Sequence, residues 1–303
     1  WIVHPRVGAI DLECYSANPL AMPNPLHISD VVFQISYIDQ ILGKPETRKK
    51  YVIQLGGCAD TPGVTIIRVK EEMEIFDKLS ELILKCNPSI ICGYNIFRFD
   101  FPYIDDRMKH YMKDTLKSCG VIKEETTKIN VYTWKSSAYG FVVISSLSTF
   151  GRIYLDMLPI IKRDYKLNKY TLDFVSNYFL GRGKHDVSPQ EIFAAYKETV
   201  AAEKEYNPNE TNLALLYHTS QRLEAAYEKM GKIALYCAED SCLCIDLMEK
   251  LNTWLNIIIL ANIVQVTPVS TFSRGQQLRV LNQLYSRCYK SGIVMDTREE
   301  QNL

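Results

Sequence analysis

The sequence predicts an α/β domain with a mixed sheet flanked by helices and a helix-rich C-terminal part. Three observations support this fold class. Segments rich in β-branched and aromatic residues come first, a strand–helix–strand–helix passage follows, and helical periodicity dominates from residue 171 onward. Hydrophobic residues make up 47% of the 303 residues and charged residues 23%, which is the composition of a globular protein.

The first strands are expected where β-branched and aromatic residues concentrate between turn-like stretches rich in Pro, Gly and Asn. These strands cover residues 7–13, 30–38, 50–55 and 64–69. A helix is expected over residues 71–86, because apolar residues recur there at helical spacing behind an acidic start. A short, fully apolar strand is expected over residues 89–95. Strands and helices therefore alternate in the part of the chain where an α/β domain is predicted.

The rest of the chain is expected to be mainly helical. A helix is predicted over residues 101–116, and residues 128–148 are predicted to form an extended, hairpin-like structure. The apolar run WLNIIILANIVQV, 254–266, is too short for a bilayer and contains Asn and Gln. We therefore interpret it as a buried helix and expect no membrane contact. A final helix, with a break before it, is expected over residues 271–294.

Charge and cysteine content restrict the possible functions. Lys plus Arg and Asp plus Glu both number 35, so any contact with nucleic acid is expected to be local, weak and sensitive to salt. The nine cysteines include no C-x-x-C pair, and Cys237, Cys242 and Cys244 are expected on one helix. Zinc spacing is not met, so we interpret the cysteines as reduced and mostly buried thiols.

Acidic residues at the ends of predicted elements suggest a metal site. Asp11 and Glu13 share one face of a strand, because alternate strand residues point the same way. Asp100 follows the apolar strand 89–95. Asp240 lies four residues after Tyr236, on the same face of a helix. Each acid alone is explained by a strand end, a helix cap or a surface position. Together they would repel one another unless cations neutralise them.

Two divalent ions about 4 Å apart would satisfy such a cluster and would form a site for phosphoryl transfer. Hard oxygen ligands favour Mg²⁺ or Mn²⁺. The expected metal ligands are the four acids Asp11, Glu13, Asp100 and Asp240.

Three motifs resemble those of a known family. DLE (11–13), YNIFRFDFPYI (94–104) and YCAED (236–240) resemble, in order and spacing, the exonuclease motifs of family B DNA polymerases. The block GRIYLDMLPIIKRDYKLNKYTLDFVSNYFLG (151–181) and the later SRGQQLRVLNQL (273–284) are similar to the delta-type branch, and Cys14 also fits the delta-like and large-virus members. The resemblance covers nearly the whole chain.

The resemblance implies an RNase H-like fold and 3′→5′ proofreading of single-stranded DNA with two ions, Mg²⁺ or Mn²⁺. Asp11 would bridge the ions, Glu13 and Asp240 would complete the shell of the catalytic ion, and Asp100 would hold the second. Tyr236 would orient the attacking water. By the same resemblance, Asn95 and Phe99 would position the 3′ end of the strand.

The resemblance also implies boundaries and partners. Residues 1–254 are expected to be the exonuclease domain, and 255–303 a helical segment leading toward a polymerase palm. The polymerase carboxylate motifs of the family are absent, and the chain begins with Trp1, so we expect an excised segment. Its partners would be primer–template DNA with a single-stranded 3′ end and the remainder of the polymerase. Its location would be intracellular, in a nucleus or at a viral replication site.

Several alternatives remain open. Lys162, Arg163, Lys166 and Lys169 form either a phosphate-contacting cluster, with Lys166 as the expected substrate-binding residue, or a solvated basic face. Asp156 is either a fifth acid near the site or, as we favour, a helix N-cap. Two other functions compete with the proofreading hypothesis. One is a free-standing RNase of the related class, and the other is a non-catalytic module that holds single strands or partners.

Overall fold

The computed structural model describes residues 4–113, 118–122, 127–136, 140–183 and 187–295. Its centre is a six-stranded sheet in the order β4-β3-β2-β1-β5-β8. The strands of this sheet are β1 (Arg6–Cys14), β2 (Val32–Ile41), β3 (Lys44–Leu55), β4 (Thr65–Val69), β5 (Ile90–Gly93) and β8 (Ile153–Asp156). Strands β6 (Lys128–Ser136) and β7 (Gly140–Ser148) form a separate antiparallel hairpin.

Helices cover both faces of the sheet and make up the C-terminal part. They are α1 (Glu72–Cys86), α2 (Asp100–His110), α3 (Met157–Asp164), α4 (Leu172–Leu180), α5 (Pro189–Glu205), α6 (Leu213–Lys250), α7 (Thr253–Val264), α8 (Ser270–Ser273) and α9 (Gln276–Lys290). Pairing is antiparallel across β1–β2 and β2–β3, and parallel across β1–β5, β5–β8 and β3–β4. The predicted mixed sheet, the RNase H-like α/β class and the helix-rich C-terminal part are therefore confirmed.

Strand β1 lies in the middle of the sheet, and its alternating side chains serve two different cores. Val7 and Ala9 pack in the cluster that contains the buried face of α6. Ile10 and Leu12 pack in the opposite cluster with α1 and α2. Because side chains alternate along a strand, Asp11 and Glu13 point toward the α6 side.

The boundaries differ most from the expected ones in three places. Strand β3 begins at Lys44 rather than at residue 50, because it pairs with the full length of β2. Helix α2 ends at His110 rather than at residue 116, and Met112 has a left-handed φ of 55°. The final helix is divided into α8 and α9, with the break at Arg274 and Gly275 inside the expected helix rather than before it.

Helix α7 is not the buried helix that its composition suggests. Leu255, Ile259 and Ile263 are 51%, 48% and 63% exposed, while Ile257 and Ala261 face the protein. The prediction was wrong because a helix that is apolar on all sides can be buried on only one side when its neighbours, α6, α8 and α9, leave the other side open. Within the described ranges, no helix has the length and apolar character needed to cross a membrane.

The cysteine interpretation is confirmed. All nine cysteines are free thiols, eight of them are buried and Cys288 is partly exposed. Cys237, Cys242 and Cys244 all lie in α6.

A buried ion pair fixes the connection that follows β1. The fully buried Arg107 guanidinium in α2 donates to both carboxylate oxygens of Glu72 in α1. It also donates to the carbonyls of Pro25 and His27, at 3.1 and 2.8 Å. Glu72 Oε1 accepts the backbone N–H of Val32 at 2.8 Å, at the start of β2. One charge pair thus joins two helices, a long loop and a strand of the sheet.

We expect Arg107→Ala to lower the free energy of unfolding by about 3–5 kcal/mol, because it leaves the Glu72 carboxylate buried without its cation. Urea denaturation followed by circular dichroism measures this change. Lys78→Ala is the control, since it removes an ion pair with Glu81 whose side chains are 42% and 52% exposed. The control should cost no more than about 1 kcal/mol. Equal losses in the two variants would contradict the structural role assigned to the buried pair.

Candidate active site

Two carboxylates and a thiol meet where β1 ends. Asp11 and Glu13 are half-buried, and Cys237 of α6 is fully buried. One ligand atom from each of these three side chains lies within 4.8 Å of the others. The Cys237 thiol also lies 3.7 Å from the backbone carbonyl oxygen of Asp11. Strand β1 and helix α6, far apart in sequence, therefore bring polar side chains together, and one of them, Cys237, was not among the predicted site residues.

Helix α6 contributes the third motif. Tyr236 and Asp240 lie one turn apart in α6 and are 5% and 2% exposed. The Ser241 hydroxyl lies 2.6 Å from the Ser36 hydroxyl of β2, which fixes the register of the helix on the sheet. Burial raises the pKa of the Cys237 thiol, and the charges of Asp11, Glu13 and Asp240 raise it further. Three of the four predicted acids, Asp11, Glu13 and Asp240, are thus close enough to affect the same thiol.

Asp100 begins α2 and is 3% exposed. Burial raises its pKa well above the usual range, followed by the charges of Asp11 and Asp156, although the backbone N–H of Leu12 lowers it in part. Within the described part of the chain, Asp100 Oδ1 accepts no hydrogen bond. A carboxylate that is buried with an oxygen unsatisfied beside another acid is suited to binding a cation.

Asp156 is the N-cap of α3, as predicted, and its charge also raises the pKa of Asp100 in the candidate active site. The Asp156 carboxylate accepts the backbone N–H of Leu158 at the start of α3, at 3.0 Å. It accepts the N–H groups of Asn95 and Phe97 as well, at 2.8 and 3.1 Å. Burial raises the pKa of Asp156 to about 6, against the lowering effect of these hydrogen bonds. Asp156 therefore holds the turn that leads to Asp100.

That turn, residues 94–99, has a strained and crowded geometry. Asn95 has a left-handed φ of 69°, and a Cβ added to Gly93 would lie only 2.8 Å from the carbonyl oxygen of Ile10. The end of β5, from which the turn begins, therefore packs closely against the backbone of β1. Asn95 and Phe99 are half-buried. The centroids of the Phe99 and Tyr103 rings lie 5.6 Å apart. The contact of Asn95 and Phe99 with a DNA end stays a prediction.

The basic cluster of the sequence is divided in space. Lys162 and Arg163 line a cleft that Asn95 and Asp156 also line, whereas Lys166 and Lys169 are exposed and are not among its lining residues. The role of Lys166 stays a prediction. The sequence did not indicate that Arg98, Arg274 and Arg279 line the same cleft. Nor was Cys237 predicted as a site residue, although its position three residues before Asp240 on a helix places it on a neighbouring part of the same face.

The donor set suits a divalent cation. Among the described residues, the ligand atoms that lie within 4.8 Å of one another belong to Asp11, Glu13 and Cys237, and those of Asp100 and Asp240 are not part of this group. Asp100 is near enough for its pKa to respond to the charge of Asp11, and Asp240 affects the pKa of Cys237. Carboxylate oxygens therefore dominate the surroundings, and hard oxygen ligands favour a divalent cation. Such a cluster is electrostatically costly in the absence of a cation.

Comparisons with known proteins agree with the motifs. A family profile described as "DNA polymerase family B, exonuclease domain" matches residues 4–175. The chain is 33% identical to DNA polymerase 120R of Invertebrate iridescent virus 3, over 97% of this chain and 24% of that protein. It is 30% identical to the DNA polymerase delta catalytic subunit of Plasmodium falciparum, over 96% of this chain and 24% of that protein. The chain thus spans about a quarter of the length of these curated relatives.

We expect Asp100→Asn to raise the thermal midpoint in buffer with EDTA or to leave it unchanged, because it removes a buried charge next to Asp11 while keeping the shape of the side chain. Differential scanning calorimetry at pH 8 measures this effect. Asp156→Asn serves as the comparison, since it weakens a cap that accepts several backbone N–H groups, and it should lower the midpoint. A marked loss of stability in Asp100→Asn would show that this carboxylate has a structural role.

Proposed function

The chain belongs to the exonuclease domains of family B DNA polymerases, and on that premise we propose that it removes nucleotides from the 3′ end of single-stranded DNA. The proposal is supported by one observation, the position of Asp11 and Glu13 of β1 beside Cys237 of α6, with one ligand atom of each within 4.8 Å of the others. The charges of Asp11, Glu13 and Asp240 act on Cys237, and that of Asp11 acts on Asp100. These are the residues that the three exonuclease motifs supply.

We propose that Asp11, Glu13, Asp100 and Asp240 hold two Mg²⁺ or Mn²⁺ ions. When bound, the ions would lower the pKa of a water molecule and stabilise charge on the leaving oxygen of the phosphodiester. The oxygen-rich donor set supports this choice of ions, and the unsatisfied Asp100 Oδ1 supports a cation in the cluster.

The chain's own side chains would position the reactants. Tyr236, on the same face of α6 as Asp240, would use its hydroxyl to orient the attacking water. Asn95 and Phe99, at the two ends of the turn held by Asp156, would hold the terminal nucleotide by hydrogen bonding and apolar contact. Lys166 would contact a phosphate from the exposed loop after α3. Phosphodiester cleavage depends chiefly on such positioning and on charge stabilisation.

Selection for errors would require no reading of base sequence. A mispaired 3′ end unpairs more easily than a matched one and therefore reaches a single-strand site more often. A site that accepts only unpaired ends would act as a proofreading filter for a polymerase elsewhere in the same protein. We propose that the rest of the polymerase and its primer–template DNA are the partners, acting inside the cell in a nucleus or at a viral replication site.

We propose further that residues 1–254 form the exonuclease unit and that 255–303 lead toward the polymerase palm. Residues 1–3 and 296–303 lie outside the described residues. The exposed apolar side chains of α7 support a segment that packs on additional protein in a longer chain.

The cleavage test uses a 5′-labelled oligonucleotide as single-stranded DNA, as duplex DNA and as RNA of the same sequence. With Mg²⁺ or Mn²⁺ we expect stepwise shortening of single-stranded DNA from its 3′ end, and none with EDTA. Asp11→Ala should reduce the rate by more than about 100-fold, because metal-held charge stabilisation amounts to several kcal/mol. Lys197→Ala, which changes an exposed residue of α5, is the control.

The competing functions predict different results in the same assay. Preference for the RNA strand would support a free-standing RNase of the related class. Binding of single strands without shortening would support a non-catalytic module. Cleavage that persists in EDTA would contradict a metal-dependent reaction.

A second test detects metal binding without cleavage. At an ion concentration about ten times the Kd, Mg²⁺ or Mn²⁺ should raise the thermal midpoint of the unaltered chain by about 3–5 °C. Asp11→Asn should remove most of this shift, because it removes a carboxylate from the cluster. Glu224→Gln, which removes an exposed carboxylate near the N-terminal end of α6, should keep it. An equal shift in all three proteins would indicate binding elsewhere.

A further inference from the structure

A basic cleft lies next to the candidate active site and is not explained by the metal cluster. It is lined by the turn after β5, by α3, by the hairpin strand β7 and by the residues around the break between α8 and α9, and its volume is about 230 Å³. Its cationic lining residues, which define the basic cleft, are Arg98, Lys162, Arg163, Arg274 and Arg279.

The charge of the basic cleft is not balanced by its own lining. Among the described residues, the only acid in the lining is Asp156, whose carboxylate already accepts three backbone N–H groups. The whole chain has a formal net charge of zero, so this concentration of cations is a local feature. Clefts lined by charge of one sign concentrate ligands of the opposite sign.

The cations differ in how far they are already engaged. Arg163 pairs with Asp164, and Arg279 donates to the carbonyl of Thr271. Arg98 and Arg274 are exposed. The charge of Arg98 lowers the pKa of Asp156 in the same cleft, but within the described ranges neither guanidinium makes a hydrogen bond or an ion pair. These two guanidinium groups come from different walls of the cleft. They are therefore the groups best placed to receive an anion.

The rest of the lining is apolar and includes aromatic rings. Phe97, Leu158 and Phe272 lie beside the cations. Guanidinium groups bind phosphate with directed hydrogen bonds, and aromatic or aliphatic surface accepts a sugar or a base. The cleft volume of about 230 Å³ lies below the roughly 300–1,000 Å³ of typical ligand pockets and so favours a single nucleotide unit over a longer segment.

The position of the basic cleft connects it with the cluster of acids. Asn95, the residue proposed to hold the 3′-terminal nucleotide, lines the cleft. Asp156 lines it too, binds the backbone of Asn95, and acts by its charge on Asp100. A strand whose end lies at the acids would therefore meet the basic cleft within a short distance along its backbone.

We propose that the basic cleft binds one nucleotide unit of the strand being trimmed, with Arg98 and Arg274, which line it from different elements, donating hydrogen bonds to its phosphate. The inference rests on the proposed function, because it takes the same DNA strand as ligand. Its chemistry, a phosphate joined to an apolar and aromatic moiety, is shared by a strand and by the nucleoside monophosphate that cleavage would release. The experiment separates these two sources.

The test measures binding in EDTA, where no cleavage is expected, with the full chain and a fluorescently labelled oligothymidylate. Arg98→Gln and Arg274→Gln should each raise Kd on the order of tenfold, or about 1.4 kcal/mol. Each should also reduce the magnitude of the slope of log K against log salt by about 0.7, as expected for one lost phosphate contact on a single strand. The double variant should lose about twice as much slope.

Matched controls separate the cleft from general charge and from misfolding. Lys197→Gln removes one exposed cation of α5. It should leave Kd within about twofold, since a surface charge away from the bound strand contributes little to the binding free energy. Arg98→Lys and Arg274→Lys keep the charge and should recover most of the salt slope. Thermal midpoints of the Gln variants should match that of the unaltered chain, because both side chains are exposed.

The outcomes distinguish this inference from the proposed function. If thymidine monophosphate loses affinity in the Gln variants while the oligonucleotide does not, the ligand is the free nucleotide and the strand proposal is overturned. If the unaltered chain cleaves DNA and the Gln variants bind it normally, the inference fails alone. If no cleavage is seen but the variants still weaken strand binding, the proposed exonuclease function fails and the basic cleft stands.

Discussion

The packing of α6 against β1 is the constraint on which the candidate site depends. Val7 and Ala9 fill the apolar part of this interface, and the hydroxyls of Ser36 and Ser241 fix the register at 2.6 Å. Because side chains alternate along the strand, the carboxylates of Asp11 and Glu13 point to the same face as Val7 and Ala9, toward α6. A shift of one residue along β1 would move both acids to the opposite core, so the hydrophobic pattern of the strand also specifies the position of the charges.

Repulsion among the clustered carboxylates lowers the stability of the folded chain. Buried hydrogen-bond networks outside the cluster hold the surrounding backbone in place. The Arg107–Glu72 pair ties the long loop after β1 to two helices, and Asp156 ties the turn after β5 to the start of α3. Each network joins segments that are distant in sequence. The arrangement fits a site in which the reactive groups repel one another while satisfied hydrogen bonds around them maintain their positions.

The sequence was sufficient for the order of strands and helices, for the shared face of Asp11 and Glu13 and for that of Tyr236 and Asp240, because alternation and helical spacing determine which residues share a face. It was insufficient where the outcome depends on neighbours. Helix α7 is apolar on all sides, and only its packing against α6, α8 and α9 determines which side stays exposed. The position of Arg98 and Arg274 in one cleft could not be predicted either, since these residues come from segments that share no periodicity. Likewise, the basic residues after α3 were adjacent in sequence but are divided between the cleft and the solvent.

The distribution of thiols has a practical consequence for following this protein in solution. Eight of the cysteines are enclosed in the core, and Cys288 in α9 is the one that solvent reaches. A maleimide dye would accordingly attach at a single natural position without any engineering of the chain. That position lies on the same helix as Arg279, so the emission of the dye would report on the C-terminal helices while a strand is being bound.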